Sequence, residues 1–372
     1  MARLAAGVRK RADGTLEKRI TIDGKRYSIY GKTSKDIAEK EQDLRASVAN
    51  GQYINNKNVT LDQYYEGWIE RKRLKKTKSN SLRLYATNYR EHISPSLGKK
   101  KVAQIETREL WELQKELSQR VAPTTCNLVF TILKIILNDA DKAGIFVNKK
   151  NPILAVEPVE NTSPKATKTI HRALTEEEQA AFMEEMRTDH YYELVALLIS
   201  TGMRCGEACA LEWNDIDYAK NVIHINKTVT YNEQGEPYVG DSPKTEAGIR
   251  DIPMTDNIKK ILRMQREKSG NVFRLDGRIF SSTVGSLVTS PYITGTIQRA
   301  LKRLDGKGVH IERFSAHALR DTFATRFIEQ GGNPQTLKTI LGHSSLAMTM
   351  DLYAQVLPNT KQNEMNNVFI AI

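Results

Sequence analysis

The stretch Ser315-Ala316-His317-Ala318-Leu319-Arg320-Asp321-Thr322-Phe323 carries the densest chemistry in this chain. Past Gly331-Gly332-Asn333-Pro334 it is followed by Leu341-Gly342-His343-Ser344-Ser345, and then by Tyr353. His317 and Arg320 are three apart, which on a helix places them on one face, one turn over the other. Ala318 and Leu319 between them can face a core. His343 follows a glycine at an expected helix end, and Tyr353 lies among the apolar Met348, Met350 and Leu352. Two imidazoles, a guanidinium and a phenol therefore come from one region, a set suited to attack on a phosphodiester by a side-chain oxygen.

Two upstream fragments complete the set. Thr201-Gly202-Met203-Arg204-Cys205-Gly206-Glu207 opens a helix that runs through Leu211 toward Trp213, and Ser242-Pro243-Lys244-Thr245 sits between strand-like runs. The order Arg204, Lys244, His317-x-x-Arg320, His343, Tyr353, all within about the last 170 residues, resembles the tyrosine recombinase (phage integrase) family. It is most similar to the integrases of conjugative transposons and temperate phages. The resemblance implies a multidomain, mainly α fold with small β-sheets, and a site-specific recombinase that cuts and rejoins DNA through a 3′-phosphotyrosyl link. It further implies a homo-tetramer on two duplexes carrying core and arm attachment sites, with an excisionase and a host DNA-bending protein as additional partners. A type IB topoisomerase-like enzyme and a catalytically lapsed DNA-binding regulator on the same scaffold remain open at this point.

The residues suit that chemistry. Displacement at phosphorus gathers negative charge on the equatorial oxygens, and Arg204 and Arg320 can each present paired N–H donors to them. Such preorganised donors are each worth ~3 kcal/mol in a transition state. Tyr353 is the candidate nucleophile; a phenol, with an ordinary pKa of ~10, needs a proton acceptor or cationic surroundings. His317 is the candidate base, and His343 a hydrogen-bond donor or orienting group. Lys244 is assigned to protonate the departing 5′ oxygen, because a lysine can give up a proton when desolvated and an arginine cannot near pH 7. Arg250, Lys259 and Lys260 also lie near strand ends and compete for that role. Glu207 is read as a support for histidine or arginine side chains. Neither a nucleotide-cradling glycine loop nor clustered carboxylates for a two-metal site is found, so no cofactor, ATP or metal is expected.

Composition bounds the rest. The 372 residues suffice for two or three domains, and 56 basic against 44 acidic residues give a net charge of +12, which favours a polyanionic partner. Cys126, Cys205 and Cys209 cannot build a disulfide framework, and Cys205 and Cys209 are expected to be buried packing. No apolar run reaches the ~20 residues of a membrane span, and no leader is evident, so a cytoplasmic, nucleoid-associated protein is expected.

Taken in order, residues 1–56 read as an arm-type DNA-binding domain. Asp13-Gly14 and Asp23-Gly24 are hairpin turns separating three strands, and a helix follows, capped by Thr33 or Ser34. The segment carries 12 basic and 7 acidic residues, and Arg9, Arg11, Lys18 and Arg26 are its candidate phosphate contacts. Residues 58–156 read as a helical, SAM-like core-binding bundle, with Thr60 and Gln63 as a capping box and a further helix after a Thr107 cap. Its basic run offers Arg71, Lys72, Arg73, Lys75 and Lys76 to a DNA backbone. Residues 157–170 form a linker with Pro158 and Pro164, and residues 171–372 are the catalytic domain, opened by a second capping box at Thr175 and Glu178. Strands are expected at Val222–Ile225, Thr228–Tyr231 and Arg250–Met254. Met365, Val368, Phe369 and Ile372 form the apolar stripe of a terminal helix, which docks on its own domain or on a neighbouring subunit.

Overall fold

The computed structural model describes residues 7–11, 14–22, 25–49, 58–146, 150–160, 173–240, 248–269 and 277–356. Lys244, the terminal stripe, most of the linker and the Asp13 and Asp23 turn residues lie outside the described residues, as does the side chain of Arg26. The chain divides into two compact units, Met1–Thr162 and Ser163–Ile372. The described elements are mainly helical, with small antiparallel sheets.

In the first unit, β1 (Val8–Lys10), β2 (Leu16–Ile22) and β3 (Lys25–Gly31) form an antiparallel sheet in that order. Thr33 caps α1 (Ser34–Ala49), its hydroxyl accepting the Asp36 N–H at 3.2 Å. Strand alternation sends Leu16 and Ile20 to one side, where they bury with Tyr27, Ile29 and the α1 residues Ile37 and Leu44. The opposite face holds Glu17, only 2% exposed, beneath Arg9, Arg11 and Arg19.

A second core in this unit belongs to a bundle of α2 (Leu61–Leu74), α3 (Ser79–Asn88), α4 (Ser94–Leu97), α5 (Thr107–Arg120) and α6 (Pro123–Lys142). One π-helical turn, Tyr89–Ile93, joins α3 to α4. The Thr60–Gln63 capping box forms, and Leu61, Tyr64 and Trp68 turn the apolar stripe of α2 inward. At α5 the expected cap is displaced by one residue. Glu106 occupies the N-cap and its N–H binds Glu109 at 3.0 Å, while the Thr107 hydroxyl donates to the Pro152 carbonyl at 3.3 Å. The first linker residues lie on the bundle, with Asn127 exchanging two bonds with the Val159 backbone at 2.8 and 3.0 Å.

The second unit opens with α7 (Glu176–Met186), behind the Thr175–Glu178 capping box, and the apolar α8 (Tyr192–Thr201). Leu194, Val195, Leu197 and Leu198 are buried all round α8, which marks it as the central helix of this core. Then come α9 (Cys205–Ala210), β4 (Ile216–Asp217), β5 (Val222–Ile225), β6 (Thr228–Tyr231), β7 (Pro237–Gly240) and β8 (Arg250–Pro253). Strands β4, β5 and β8 form one antiparallel sheet in that order, and β6 and β7 pair separately. A Cβ on Gly206 would meet the Thr228 hydroxyl at 2.7 Å, so α9 lies close against β6 because that position is a glycine. Cys205 and Cys209 are buried with their sulfurs 3.9 Å apart. The unit continues with α10 (Asp256–Ser269), α11 (Ser290–Gly306), α12 (Ala316–Glu329), α13 (Pro334–Leu341) and α14 (Leu346–Val356). No described helix is long and apolar enough to cross a membrane.

Candidate active site

Two left-handed glycines build the site. Gly202 ends α8 at φ 64° and Gly342 ends α13 at φ 66°, the conformation that terminates helices at least cost for glycine. A Cβ on Gly202 would overlap Phe323 at 2.3 Å and Leu341 at 2.8 Å, so this turn is pressed against α12 and α13. The chain then re-enters a helix with Arg204 at the N-cap of α9. Glu207 accepts the Arg204 N–H at 2.8 Å and its guanidinium at 2.9 Å.

The end of α13 leaves its last carbonyls without helical partners, at the negative end of the helix dipole. Three guanidiniums take them in succession. Arg250 Nε donates to the Ile340 carbonyl at 2.5 Å, Arg320 Nη2 to Leu341 at 2.8 Å and Arg204 Nη2 to Gly342 at 3.3 Å. Arg320 also donates to the Gly202 carbonyl at 2.9 Å, which ties the two glycine turns together. Arg250 sends its remaining nitrogens to Glu207, at 2.8 and 3.2 Å, and to the Gly248 carbonyl at 3.1 Å.

Arg204, His317, Arg320 and His343 line one cleft of about 420 Å³, with Asp321, Asp351, Met348 and Leu352 also on its wall. His317 is open to solvent at 54% side-chain exposure, its Nε2 3.9 Å from the Asp321 carboxylate. His343 Nδ1 lies 2.9 Å from the hydroxyl of Thr349, a fully buried residue. Burial, and then the charges of Arg320, Arg204 and Arg250, push the His343 pKa down to about 4, so its ring is neutral at neutral pH. Burial and the neighbouring Arg204 lower the Arg320 pKa to about 9, which still leaves it a cation. Burial raises the carboxyl of Glu207, but the bonds and charges of Arg250 and Arg204 outweigh that and hold it below its ordinary value. A two-cation, neutral-imidazole cleft is a receptor for a phosphate group.

Tyr353 is placed differently. Its ring packs on Ala324, Ile328, Leu337 and Leu341, its hydroxyl donates to the Gly332 carbonyl, and Leu352 beside it faces the cleft. Burial raises the pKa of the phenol. Glu207 supports two arginines, Arg204 and Arg250.

The candidate DNA contacts divide. Arg9 and Arg11 share Glu17 with Arg19, which sequence reasoning missed although its register beside Arg9 and Glu17 places it on the same face. Lys18 falls on the helix-covered side and pairs with Glu41 at 2.6 Å. Arg71 is held by Asp139 at 2.5 Å and lies over the Tyr64 ring, and Lys72 lies over Trp68. Arg73 pairs with Glu70 at 2.8 Å, while Lys75 and Lys76 are exposed. Thr349 was also missed as a site residue, and Arg250 was named only as an alternative to Lys244.

Residues 172–360 match the model described as "Phage integrase family", and residues 60–118 match "Phage integrase, N-terminal SAM-like domain". The "Tyrosine recombinase XerC-like" protein of Caldanaerobacter subterraneus subsp. tengcongensis is 27% identical, over 93% of this chain and 92% of its own. The Tn1549 transposon integrase, solved in complex with transposon right end DNA, superposes with a TM-score of 0.69 at 23% identity, covering 83% of this chain and 99% of that one. A lambda integrase tetramer bound to a Holliday junction gives 0.61 at 18% identity, covering 92% and 97%. With the guanidinium cleft inside one matched segment and α2 to α4 and most of α5 inside the other, the chain belongs to the phage integrase family of tyrosine recombinases.

Proposed function

We propose that this protein is the integrase of a mobile element, cutting and rejoining double-stranded DNA at attachment sites through a 3′-phosphotyrosyl link on Tyr353. The observation that carries the reading is the cleft in which Arg204, Arg320, His317 and His343 converge, one residue along α14 from the phenol. The scissile phosphate binds between the two guanidiniums. His317, exposed at the cleft mouth, takes the phenolic proton, and neutral His343, oriented through Thr349, hydrogen-bonds a phosphate oxygen without adding charge. Attack needs the phenol to leave Gly332 and enter the cleft. The exposed Leu346, Met348 and Met350 mark α14 as a thinly packed helix that can turn to bring it there. Lys244 protonates the departing 5′ oxygen. The link conserves the ester's free energy, so rejoining needs no ATP.

Four subunits act on two duplexes, a subunit count shared with the lambda integrase tetramer bound to a Holliday junction, while Arg9, Arg11 and Arg19 bind arm sites and Lys75 and Lys76 the core site. An excisionase and a host bending protein set direction, and the enzyme works at the nucleoid. The test uses a suicide substrate from DNA flanking the gene. Tyr353→Phe retains DNA binding and forms no covalent adduct; undiminished adduct in that variant removes Tyr353 as nucleophile.

A further inference from the structure

The site contains a buried cation that no step of the proposed reaction uses. Arg250 is 7% exposed, and on β8 it shares the inward face with Ile252, two residues on, so its guanidinium lies inside the core. It cannot meet a phosphate in the cleft, whose walls do not include it. Its guanidinium donates to both oxygens of Glu207 and to the Ile340 carbonyl at the end of α13, two groups that hold the cleft, and also to the Gly248 carbonyl.

The charge arithmetic is informative. Glu207 carries one negative charge at 2% exposure, and Arg204 and Arg250 bring one positive charge each, so the trio keeps a net +1. Without Arg250, a buried carboxylate would be left with Arg204 as its counter-ion. Arg204 would then be drawn onto Glu207, and the pair would present no net charge to the phosphate. The Ile340 carbonyl would also lose its donor, loosening the turn from which Arg204 and His343 are positioned.

We propose that Arg250 is a positioning residue for DNA cleavage, which occupies Glu207 so that the charge of Arg204 remains available to the scissile phosphate. The role rests on the reaction proposed above. It separates from a purely structural strut by a compensating change. In Arg250→Met the carboxylate has Arg204 left to neutralise it, whereas in Glu207→Gln/Arg250→Met the carboxylate is gone and Arg204 regains its free charge.

The experiment measures single-turnover adduct formation on a suicide substrate from DNA flanking the gene, alongside DNA affinity and thermal unfolding of each full-length variant. Arg250→Met should cleave about 100-fold more slowly, as when one transition-state donor is lost, with affinity changed less than about threefold. Arg250→Lys, which keeps the charge but not the forked geometry, should recover about tenfold of that loss. The double variant should cleave about tenfold faster than Arg250→Met. A double variant as slow as Arg250→Met, or slower, overturns the proposal. Should Arg250→Met not fold, Arg250→Gln, which also removes the charge but keeps a hydrogen-bonding side chain, serves in its place: its deficit should be reduced by Glu207→Gln, and no reduction overturns the role. A wild-type protein that forms no adduct refutes the reaction itself, and the positioning role falls with it.

Discussion

His343 shows how the surroundings of one ring set its chemistry. A histidine ordinarily titrates near pH 6.5, but this one stays neutral down to about pH 4 because it is buried beside three guanidiniums. The unfolded chain therefore binds a proton between about 6.5 and 4 that the folded chain refuses. Stability from this residue is fully present above pH 6.5 and is lost as the pH falls toward 4, by an amount on the order of 2 kcal/mol. Urea titrations across that window should show the loss, and His343→Gln should abolish this part of the slope. A bound phosphate offsets the same guanidiniums, so NMR titration of the ring should find its pKa raised by inorganic phosphate. Arg204 belongs to the same scale: Arg204→Ala should slow cleavage by about 10²–10³-fold while DNA affinity changes far less. If mobility-shift affinity fell in parallel with rate, the residue would be a binding group only. The histidines, Arg204 and Arg320 were legible in the sequence because their types and order carry the chemistry. Arg250 was weighed only as a stand-in for Lys244. Its i, i+2, i+4 spacing with Ile252 and Met254 in an expected strand already placed a cation on the same, inward face, where a charge needs a partner, and Glu207 was the acid without a settled one.

At the scale of elements, the site is a junction between two helix ends. The Gly202 turn and the Gly342 turn are bridged by Arg320 through main-chain carbonyls, so the geometry of the cleft follows from where α8 and α13 stop. Gly202→Ala tests this. The left-handed conformation alone costs a side chain ~1–2 kcal/mol, and overpacking against Phe323 and Leu341 adds ~1–3 kcal/mol. The variant should melt several degrees lower and, in the fraction that stays folded, cleave more slowly; an unchanged rate would mean the turn does not set the arginines. Capping boxes at Thr60 and Thr175 and the strand alternation were readable locally, because each is a short-range hydrogen-bond pattern. The α5 cap was misplaced because Glu106 and Glu109 form the same reciprocal pattern one residue earlier, with glutamate in place of threonine. Strands β4 and β7 were not expected, since at two and four residues they are held by pairing with β5 and β6 more than by their own composition.

For the whole molecule, the 56 basic residues behind the net charge of +12 are distributed in separate places, and many of them are paired internally. Arg9, Arg11 and Arg19 keep a net positive face around Glu17, whereas Lys18, Arg71 and Arg73 are held in ion pairs. Charge runs reveal how many cations a segment has, not which are committed to a neighbour, and only the fold separates the two. Deleting residues 1–56 should therefore remove binding to distal sites while leaving cleavage of a crossover-site oligonucleotide; loss of core cleavage would refute the arm reading. Binding by the full chain should weaken linearly in log–log plots against salt, with a shallower slope after the deletion. A last consequence concerns the phenol resting on Gly332. Its acceptor is a peptide oxygen, which nothing in the physiological range can titrate and no side-chain replacement can delete. The latch is the phenol's own hydrogen, so in the proposed reaction the ring must swing free of Gly332 before His317 can take that proton. On that reading, a subunit that has not made the swing carries its proposed nucleophile latched.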